Sequence, residues 1–435
     1  MTGVDAEGRK GGVLVGAWSR KGAWSALGAV AIWSPVLAQQ APMQETVSTR
    51  SLDAELNITE MFDSNVSRSD AQLAAARDLK RADNITTPQL QVNGALPLGQ
   101  ESLFFTGTAG YDFYERNHVL NRERADITGG GEAHLSSCLT RLTGEYAAHQ
   151  ANLSELIDPA APAQATSNLI QRESVELDVA CGRSTGLRPS LTVVESASQN
   201  SAEQYKALDN EMLTVAPALI YARPAFGAVQ VFGQFVNLNY DRSFQVFEET
   251  SANPPTFGFV SVNNGFEIKG GGFRYDRTIG SRIAGNVSVS YTDLTPTSSL
   301  THGFSGFTYG AEVTYAPSRL ALHAKASRST QPSNQIGSAY YVDDAYLADV
   351  KYTLGERLLF DLGGSTEQRQ YESVQGSPFT IITGERVRSV FGDARYNLGR
   401  RWYVDVNAQL ETRRANLIAY NYTSARAGVT IGLKY

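Results

Sequence analysis

The residues of this chain that could carry chemistry are scattered. The five histidines are His118, His134, His149, His302 and His323. No HExxH, CxxC, GxSxG or Walker pattern accompanies them, so no motif indicates a zinc site, an activated nucleophile or a phosphate-binding loop. His134 and His149 would both face inward on paired strands, near opposite ends. A barrel hydrolase could combine such a histidine with serine and aspartate, but the spacing predicts no such cluster. We therefore expect neither an enzyme nor a cofactor.

The two cysteines, Cys138 and Cys181, each fall in a short predicted turn. An even pair of cysteines in an exported chain indicates a disulfide. One long loop and its two strands separate the turns, and two strand spacings amount to about 10 Å. A disulfide needs Cα atoms within about 7 Å, so the turns would have to lean together. The alternative is a pair of free thiols in flexible turns.

The final segment of the chain alternates between two faces. Val429, Ile431, Leu433 and Tyr435 are apolar, and the residues between them are small or polar. Since a strand has a two-residue period, one face of this segment is apolar and the other is hydrated. Such a strand, ending on an aromatic residue, resembles the C-terminal insertion signal of outer-membrane β-barrels. We expect these four residues to be read by the barrel-assembly machinery.

Short turn signals recur along the chain. They lie at 97–99, 136–138, 181–183, 223–225, 279–281, 317–319, 355–357 and 399–401. Roughly ten to fourteen alternating residues flank each turn, the length that a tilted strand needs to cross a membrane. Adding a first strand near Leu52–Met61 and a last strand near Tyr420–Tyr435 predicts eighteen strands.

Longer polar stretches separate these hairpins. They cover 63–84, 116–123, 150–167, 200–207, 242–264, 295–303, 331–340, 372–384 and 415–419. Short and long connections alternate strictly, as in outer-membrane barrels with short periplasmic turns and long external loops. The predicted fold is therefore an all-β transmembrane antiparallel barrel of about eighteen strands over residues 51–435. An all-β sandwich or propeller would produce the same alternation, but strand length, loop rhythm and the terminal aromatic residue favour the barrel.

The inward register of the predicted strands collects charges of both signs. These residues are Arg124, Asp126, Glu132, Arg141, Glu145, Arg172, Glu176, Asp178, Lys325, Asp349, Lys351, Asp361, Glu367, Arg369, Asp393, Arg395, Asp405, Glu411 and Arg413. Mixed charges suit a hydrated pore for hydroxyl-rich or anionic solutes. They equally suit a salt-bridged wall that holds a narrow barrel together, and the sequence leaves both interpretations open.

The segment 265–277 departs from clean alternation. Gly270-Gly271-Gly272 lies in its middle, and simple alternation would put Phe273 on the same face as Glu267 and Lys269. Glycine within a strand often marks a bulge. We therefore expect a β-bulge in this segment.

The N-terminal region reads as a secretory signal. Positive charge at Arg20 and Lys21 precedes a short apolar run, and Val36-Leu37-Ala38 fits a cleavage site. The sequence predicts a signal peptide over 1–38 and a short periplasmic segment over 39–50. The alternative, an anchor helix, would need a longer apolar run. The net charge of −6 argues against general nucleic-acid binding.

Short motifs resemble the β-barrel porin-2 family, whose members are outer-membrane barrels encoded with exopolysaccharide synthesis and export machinery. The motifs are Phe62-Asp63-Ser64-Asn65-Val66, Ser327-Arg328-Ser329, Tyr340-Tyr341-Val342, Glu411–Asn416 and Tyr420-Asn421-Tyr422. Ala415 stands where family members often carry serine. The resemblance runs from about Leu52 to Tyr435. It implies passage of a secreted polysaccharide across the outer membrane of a Gram-negative bacterium, together with a periplasmic polysaccharide export protein.

Four functions remain open at this point. The leading hypothesis is a passive channel that exports an exopolysaccharide, with outer-membrane lipid as its surroundings. The alternatives are a porin for sugars or carboxylates, a barrel enzyme that acts on lipid or polymer, and a structural surface barrel. Fold alone does not separate them.

Overall fold

The computed structural model describes residues 50–153, 167–252, 255–335, 337–375 and 382–435. The predicted signal peptide and nearly all of the segment 39–50 lie outside these residues, as do parts of the predicted loops 150–167, 242–264, 331–340 and 372–384. Within the described ranges, no helix is long and apolar enough to cross a membrane.

The described residues contain twenty strands and one short α-helix. The strands are β1 (Ser51–Asp63), β2 (Asp83–Leu98), β3 (Glu101–Tyr114), β4 (Arg122–Leu135), β5 (Cys138–Gln150), β6 (Leu169–Cys181), β7 (Gly186–Asn200), β8 (Asn210–Arg223), β9 (Gly227–Tyr240), β10 (Phe244–Ala252), β11 (Pro255–Val262), β12 (Phe266–Ile279), β13 (Ile283–Pro296), β14 (Phe304–Tyr315), β15 (Leu320–Pro332), β16 (Ser338–Leu354), β17 (Leu358–Ser373), β18 (Gly384–Leu398), β19 (Trp402–Ala415) and β20 (Tyr422–Lys434). The helix, α1, covers Ala71–Ala76, where the Asp70 side chain caps it by accepting from the Leu73 amide at 2.8 Å.

Eighteen of these strands form one closed antiparallel barrel. β1–β9 and β12–β20 pair with their sequence neighbours, β9 pairs with β12, and β1 pairs with β20 from Glu55–Lys434 to Asp63–Arg426. This confirms the predicted eighteen-stranded barrel. The last strand starts at Tyr422 instead of Tyr420 because residues 418–420 form a 3-10 turn.

The two-residue period places apolar side chains on the outside. On β19, Trp402, Val406 and Leu410 are about half exposed, at 49%, 51% and 51%. Tyr403 and Asp405, between them, face inward and are buried. An outer surface of this kind is stable when it faces lipid, and an inner surface of polar groups is stable when it faces water or partner groups.

The predicted bulge in β12 is wrong. β12 pairs with β9 and with β13 in unbroken register. Phe273 faces outward and is 50% exposed, and Glu267 and Lys269 share that outward face near the loop end of the barrel. The strand alternates normally because its inward residues at this end, such as Phe266, are apolar instead of polar.

The long loops pack together at one end of the barrel. Val66, Leu120, Leu153 and Tyr205, from four different loops, share a hydrophobic core with inward residues at the strand ends. The Tyr240 hydroxyl on β9 donates at 3.4 Å to the carbonyl oxygen of Ser333, in the β15–β16 connection, and at 3.5 Å to that of Ala339, at the start of β16.

Three strands separate β9 from β15, a path of about 19 Å along the wall at the usual strand spacing. A tyrosine side chain cannot reach across that distance. The loops therefore lean over the lumen and meet across its external mouth.

Candidate functional site along the inner wall

The inward register carries every charged residue that the sequence assigned to the lumen. Cross-strand pairing aligns Arg395 with Asp405, Asp361 with Asp393, and Lys351 with Asp361. The residues named from sequence divide into two groups that the structure does not bring together. Arg124, Asp126, Glu132, Arg141, Glu145, Arg172, Glu176 and Asp178 lie on β4–β6, and the others lie on β15–β19.

A buried ion-pair network lies on β17–β19 near the loop end. Glu385 forms salt bridges with Arg413 and with Arg369, the latter at 3.2 Å. The Tyr371 hydroxyl also donates to Glu385, at 2.9 Å. Arg413 and Glu385 are each about 1% exposed, so this network is closed to solvent. A charge removed from it would leave its partner buried without compensation.

A second network joins the first strand to the last. Arg426 on β20 contacts Glu411 at 3.1 Å and Asp63 at 3.4 Å. Arg68, from the loop after β1, contacts the same Asp63 carboxylate at 2.6 Å. The Ser424 hydroxyl donates to Asp63 at 2.7 Å. Asp63 therefore ties the closing seam of the barrel to the first external loop.

The turn end of the same wall carries looser pairs. Arg395 contacts Asp405 at 3.0 Å, and Lys351 contacts Asp361 at 3.4 Å. Here the side chains of Lys351 and Asp361 are 40% and 19% exposed. The Lys351–Asp361 pair is thus open to the lumen, whereas the side chains of Arg395 and Asp405 are only 15% and 6% exposed.

One histidine lies between two acids on the inner wall. His323 on β15 contacts Asp349 at 2.7 Å and Glu312 at 3.2 Å. His134 and His149, the histidines considered for a hydrolase, lie near opposite ends of β4 and β5. The two carboxylate contacts of His323 suit a residue that is ion-paired within the wall.

On β4 and β5 the charges pair locally. Arg141 contacts Glu132 at 2.6 Å, and Arg124 contacts Asp112 on β3 at 3.6 Å. Along the barrel wall, β20, β1 and β2 separate these pairs from the networks of β17–β19. They form a separate polar patch.

The third part of the inner wall is apolar, which the sequence analysis missed. Met212, Ile220, Phe232, Val236 and Leu238 on β8 and β9 face inward and are buried. Phe266 and Ile268 continue this surface on β12. Both faces of these strands carry apolar residues, and a run that is apolar on both faces indicates burial on both sides. That signal could have been read from β8 and β9.

The sequence analysis also missed Glu385, although it occupies the same inward register of β18 as Asp393 and Arg395. Extending that parity by four positions would have found it.

The two cysteines lie opposite each other on adjacent strands. Cys138 begins β5 and Cys181 ends β6, and the register pairs them directly, with a Cα–Cα distance of 3.9 Å and a bond between their sulfur atoms. The estimate of two strand spacings between them is wrong. The long loop joins β5 to its neighbour β6, so only one spacing separates the cysteines and the turns need not lean.

The C-terminal strand closes the barrel. Val429, Ile431 and Tyr435 face outward, with 44%, 53% and 92% of their surface exposed, and Leu433 shares their register. The Tyr435 amide donates to the Ala54 carbonyl at 2.8 Å, so the last residue is hydrogen-bonded to the first strand. The role of these residues as an insertion signal stays a prediction.

Comparison with known proteins gives one family match. The family model described as "Putative beta-barrel porin 2" matches residues 244–435, which confirms the family resemblance over that part of the chain. No curated protein matches the chain.

Solved structures similar to the barrel have low sequence identity. The siderophore receptor PirA from Acinetobacter baumannii is 8% identical, with 90% of this chain and 81% of that chain covered and a TM-score of 0.46. OccK2 (OpdF) from Pseudomonas aeruginosa is 9% identical, with 88% and 98% covered and a TM-score of 0.45. A BenF-like porin from Pseudomonas fluorescens Pf-5 is 8% identical, with 88% and 99% covered and a TM-score of 0.45.

The closed barrel, its apolar outer surface and the match to a porin family together identify a porin-like β-barrel of the outer membrane of a Gram-negative bacterium.

Proposed function

We propose that this porin-like barrel is a channel through which a secreted exopolysaccharide leaves the cell. The observation that carries the proposal is the position of the family match. Residues 244–435 include β12–β20, the strands whose inward faces bear the ion-pair networks of Glu385 and Asp405. The resemblance associates that family with polysaccharide export.

The chemistry of the wall supports a hydroxyl-rich cargo. A guanidinium group has five N–H donors and a carboxylate has about four lone pairs, so an ion pair such as Arg395–Asp405 retains free hydrogen-bonding capacity. A polymer of sugars can exchange hydrogen bonds along such groups without meeting an uncompensated charge. Transport is then passive, because binding at each step is weak enough to release the chain.

This function implies partners on the periplasmic side. A polymer must be delivered to the turn end of the barrel, so a periplasmic polysaccharide export protein would dock there. Lipid would surround the outer surface, and the barrel-assembly machinery would insert the chain. No catalytic role is part of this proposal.

A specific observation favours a second candidate, a porin for small solutes. The loop core at the external mouth joins residues from four loops, and it narrows the exit for a polymer. Under the export function these loops would have to separate as the polymer passes. Under the small-solute function they would form a permanent constriction.

Deletion of the gene separates the two candidates. The export function predicts that secreted polymer is lost from the cell surface or trapped in the periplasm, while growth on sugars and organic acids is unchanged. Reintroducing the wild-type gene should restore the polymer. Normal surface polymer combined with impaired growth on one small nutrient would overturn the proposal in favour of the porin.

A further inference from the structure

Four consecutive hairpins place an arginine at the same position of their periplasmic turns. Arg282, Arg319, Arg357 and Arg401 each directly precede the outgoing strand of the hairpin, β13, β15, β17 or β19. All four are exposed. The chain as a whole has a net charge of −6, so this concentration of positive charge is not a consequence of composition.

The backbone of each of these arginines is anchored to the next hairpin. The Arg282 carbonyl accepts from the Ala316 amide at 2.7 Å, and the Arg319 carbonyl accepts from Thr353 at 2.8 Å. The carbonyl of Arg357 accepts from Asn397 at 2.8 Å, and that of Arg401 from Lys434 at 2.7 Å. The four Cα positions are thereby held at the rim by the sheet itself.

Three of the turns share a sequence that fixes this geometry. Each reads Gly-x-Arg, and Gly280, Gly355 and Gly399 have φ values of 59°, 65° and 83°. A Cβ at any of the three would meet nothing within 4 Å, so glycine is required for its backbone conformation and not for space. The conformation delivers the arginine two residues later to the start of the next strand.

The four arginines continue the inward register of the wall. The first pair of each outgoing strand, such as Ile283–Tyr315 or Trp402–Leu433, faces outward, so the arginine one position before it faces the lumen. Lys434, opposite Arg401, belongs to the same face, and its ammonium lies 4.9 Å from the centre of the Tyr403 ring. The arginines therefore occur around the periplasmic mouth and not on the lipid-facing surface.

We propose that these four arginines form a rim that captures an acidic polysaccharide, with carboxylate groups on its sugars, at the periplasmic mouth. This inference rests on the proposed export function and names the class of its substrate. Neighbouring turns are about 10 Å apart, close to the Debye length of about 8 Å at physiological ionic strength. Their potentials therefore overlap and raise the local concentration of a polyanion.

Two carboxylates lie close to the four arginines and confine the excess positive charge to the turns. Glu356 is the acid within the four turns, and Asp361 begins the mixed wall above Arg357. Asp361 is paired with Lys351 at 3.4 Å, so this pair adds no net charge to the wall next to the rim. The rim attracts the polymer, and the paired wall then lets it slide.

The test is side-resolved block of the full-length barrel in planar bilayers of zwitterionic lipid. Oligouronates should occlude the wild-type channel from the turn side at about tenfold lower concentration than from the loop side. Neutral maltooligosaccharides should show no such asymmetry. The asymmetry should vanish in 1 M salt, where the Debye length is about 3 Å.

Replacing Arg282, Arg319, Arg357 and Arg401 with glutamine should abolish the asymmetry, and replacing them with lysine should retain it. The matched control replaces Arg386, Arg388 and Arg414, exposed arginines on the outward register near the loop end, with glutamine and should behave as wild type. Heat-modifiable gel migration checks that each variant is folded.

The inference is overturned if the glutamine variant keeps the asymmetry, or if neutral and acidic oligosaccharides block equally. Arginines that serve only phospholipid headgroups would give the first result. The gene-deletion experiment tests the export function independently. Normal polymer in the deletion strain would rule out export, while a side-dependent block by oligouronates would still demonstrate anion capture at the rim.

Discussion

Two sectors of the inner wall follow the same alternation and differ in chemistry. On β17–β19, the inward positions hold Arg369, Glu385 and Arg413, which form salt bridges through the shared Glu385 carboxylate. On β8, β9 and β12, the corresponding positions hold apolar side chains such as Leu238 and Phe266. The charged side chains are paired with one another, whereas the apolar side chains are covered by the loops that fold onto them.

Because of this difference, the stability of each sector depends on a different set of contacts, and the contacts of the apolar sector also restrict access to the lumen. A buried charge without a partner costs several kilocalories per mole, so the charged sector depends on complete pairing. An apolar wall at a water-filled mouth would be exposed, so the apolar sector depends on the loop core to cover it. The loop core thus narrows the mouth as a consequence of covering that wall.

Deleting Tyr435 should have the largest effect, because neither sector exists until β20 closes on β1. Loss of the aromatic terminus and of the hydrogen bonds to Ala54 should leave the chain in the periplasm, degraded or aggregated. Immunoblots of outer-membrane fractions measure this. Tyr435→Phe, which keeps an aromatic end, should assemble normally. Wild-type levels of the truncated chain would contradict the expectation.

Glu385→Ala should destabilise the charged sector most among single substitutions within it. Arg413 and Arg369 would lose the carboxylate that they share, at a cost of about 3–5 kcal/mol. The temperature at which the folded band disappears from heat-modifiable gels should fall. Glu356→Ala, in an exposed turn, is the control and should leave that temperature unchanged. Equal unfolding temperatures for both variants would show that the buried network does not support the barrel.

Phe266→Ala should act on the apolar sector through the loops. Its ring is 1% exposed and lies 6.2 Å from the Tyr340 ring, and truncating a buried phenylalanine costs roughly 3–5 kcal/mol of packing. The loop core should loosen, raising single-channel conductance and protease cleavage in the external loops. Phe273→Ala, on the lipid-facing side of the same strand, is the matched control. If the two variants conduct equally, the loop core does not restrict the mouth.

Removing the disulfide should have a smaller effect, because it lies on β5–β6, outside both sectors. Chain entropy alone predicts roughly 4 kcal/mol for a loop of this length, but β5 and β6 are already paired along their lengths, so we expect about 1–2 kcal/mol. Cys138→Ser with Cys181→Ser should lower the unfolding temperature by the same amount as a reductant lowers it in the wild type. The double variant should not respond to the reductant. A response would mean that the reductant acts elsewhere.

Converting part of the charged sector into an apolar one should change stability least. Glu385→Leu combined with Arg413→Met removes the salt bridge between these two residues and leaves Arg369 with Glu367 at 2.9 Å, and such replacements are often neutral or stabilising. We expect the unfolding temperature that Glu385→Ala loses to be regained. Because the network is closed to solvent, sugar permeation should stay at the wild-type level. Lower permeation would show that this network also serves transport.

Much of the fold could be predicted from local pattern. The alternation on β19, from Trp402 to Leu410, separates lipid-facing from inward residues without any knowledge of the neighbours. The turns at Gly280, Gly355 and Gly399 could be placed because a left-handed backbone conformation favours glycine. The eighteen strands follow from the regular spacing of these turns.

The site was less predictable, because the inward orientation of a residue does not show which side chains it contacts. The sequence put Arg413 on the inner face, but its burial against Glu385 depends on the register between β18 and β19. The error at β12 has the same origin. Polar residues were expected inside, whereas the loops supply an apolar surface to Phe266.

The sequence by itself determined the strands, their two faces and the turns, because period, side-chain polarity and glycine conformation are local properties of the chain. Only the tertiary structure decided which inward residues are neighbours. Closure of β1 on β20 brings Asp63 to Arg426, and folding of the loops across the mouth brings Val66 to the apolar wall. Such contacts join residues far apart in the chain, and their free energy is gained only when the whole barrel has closed.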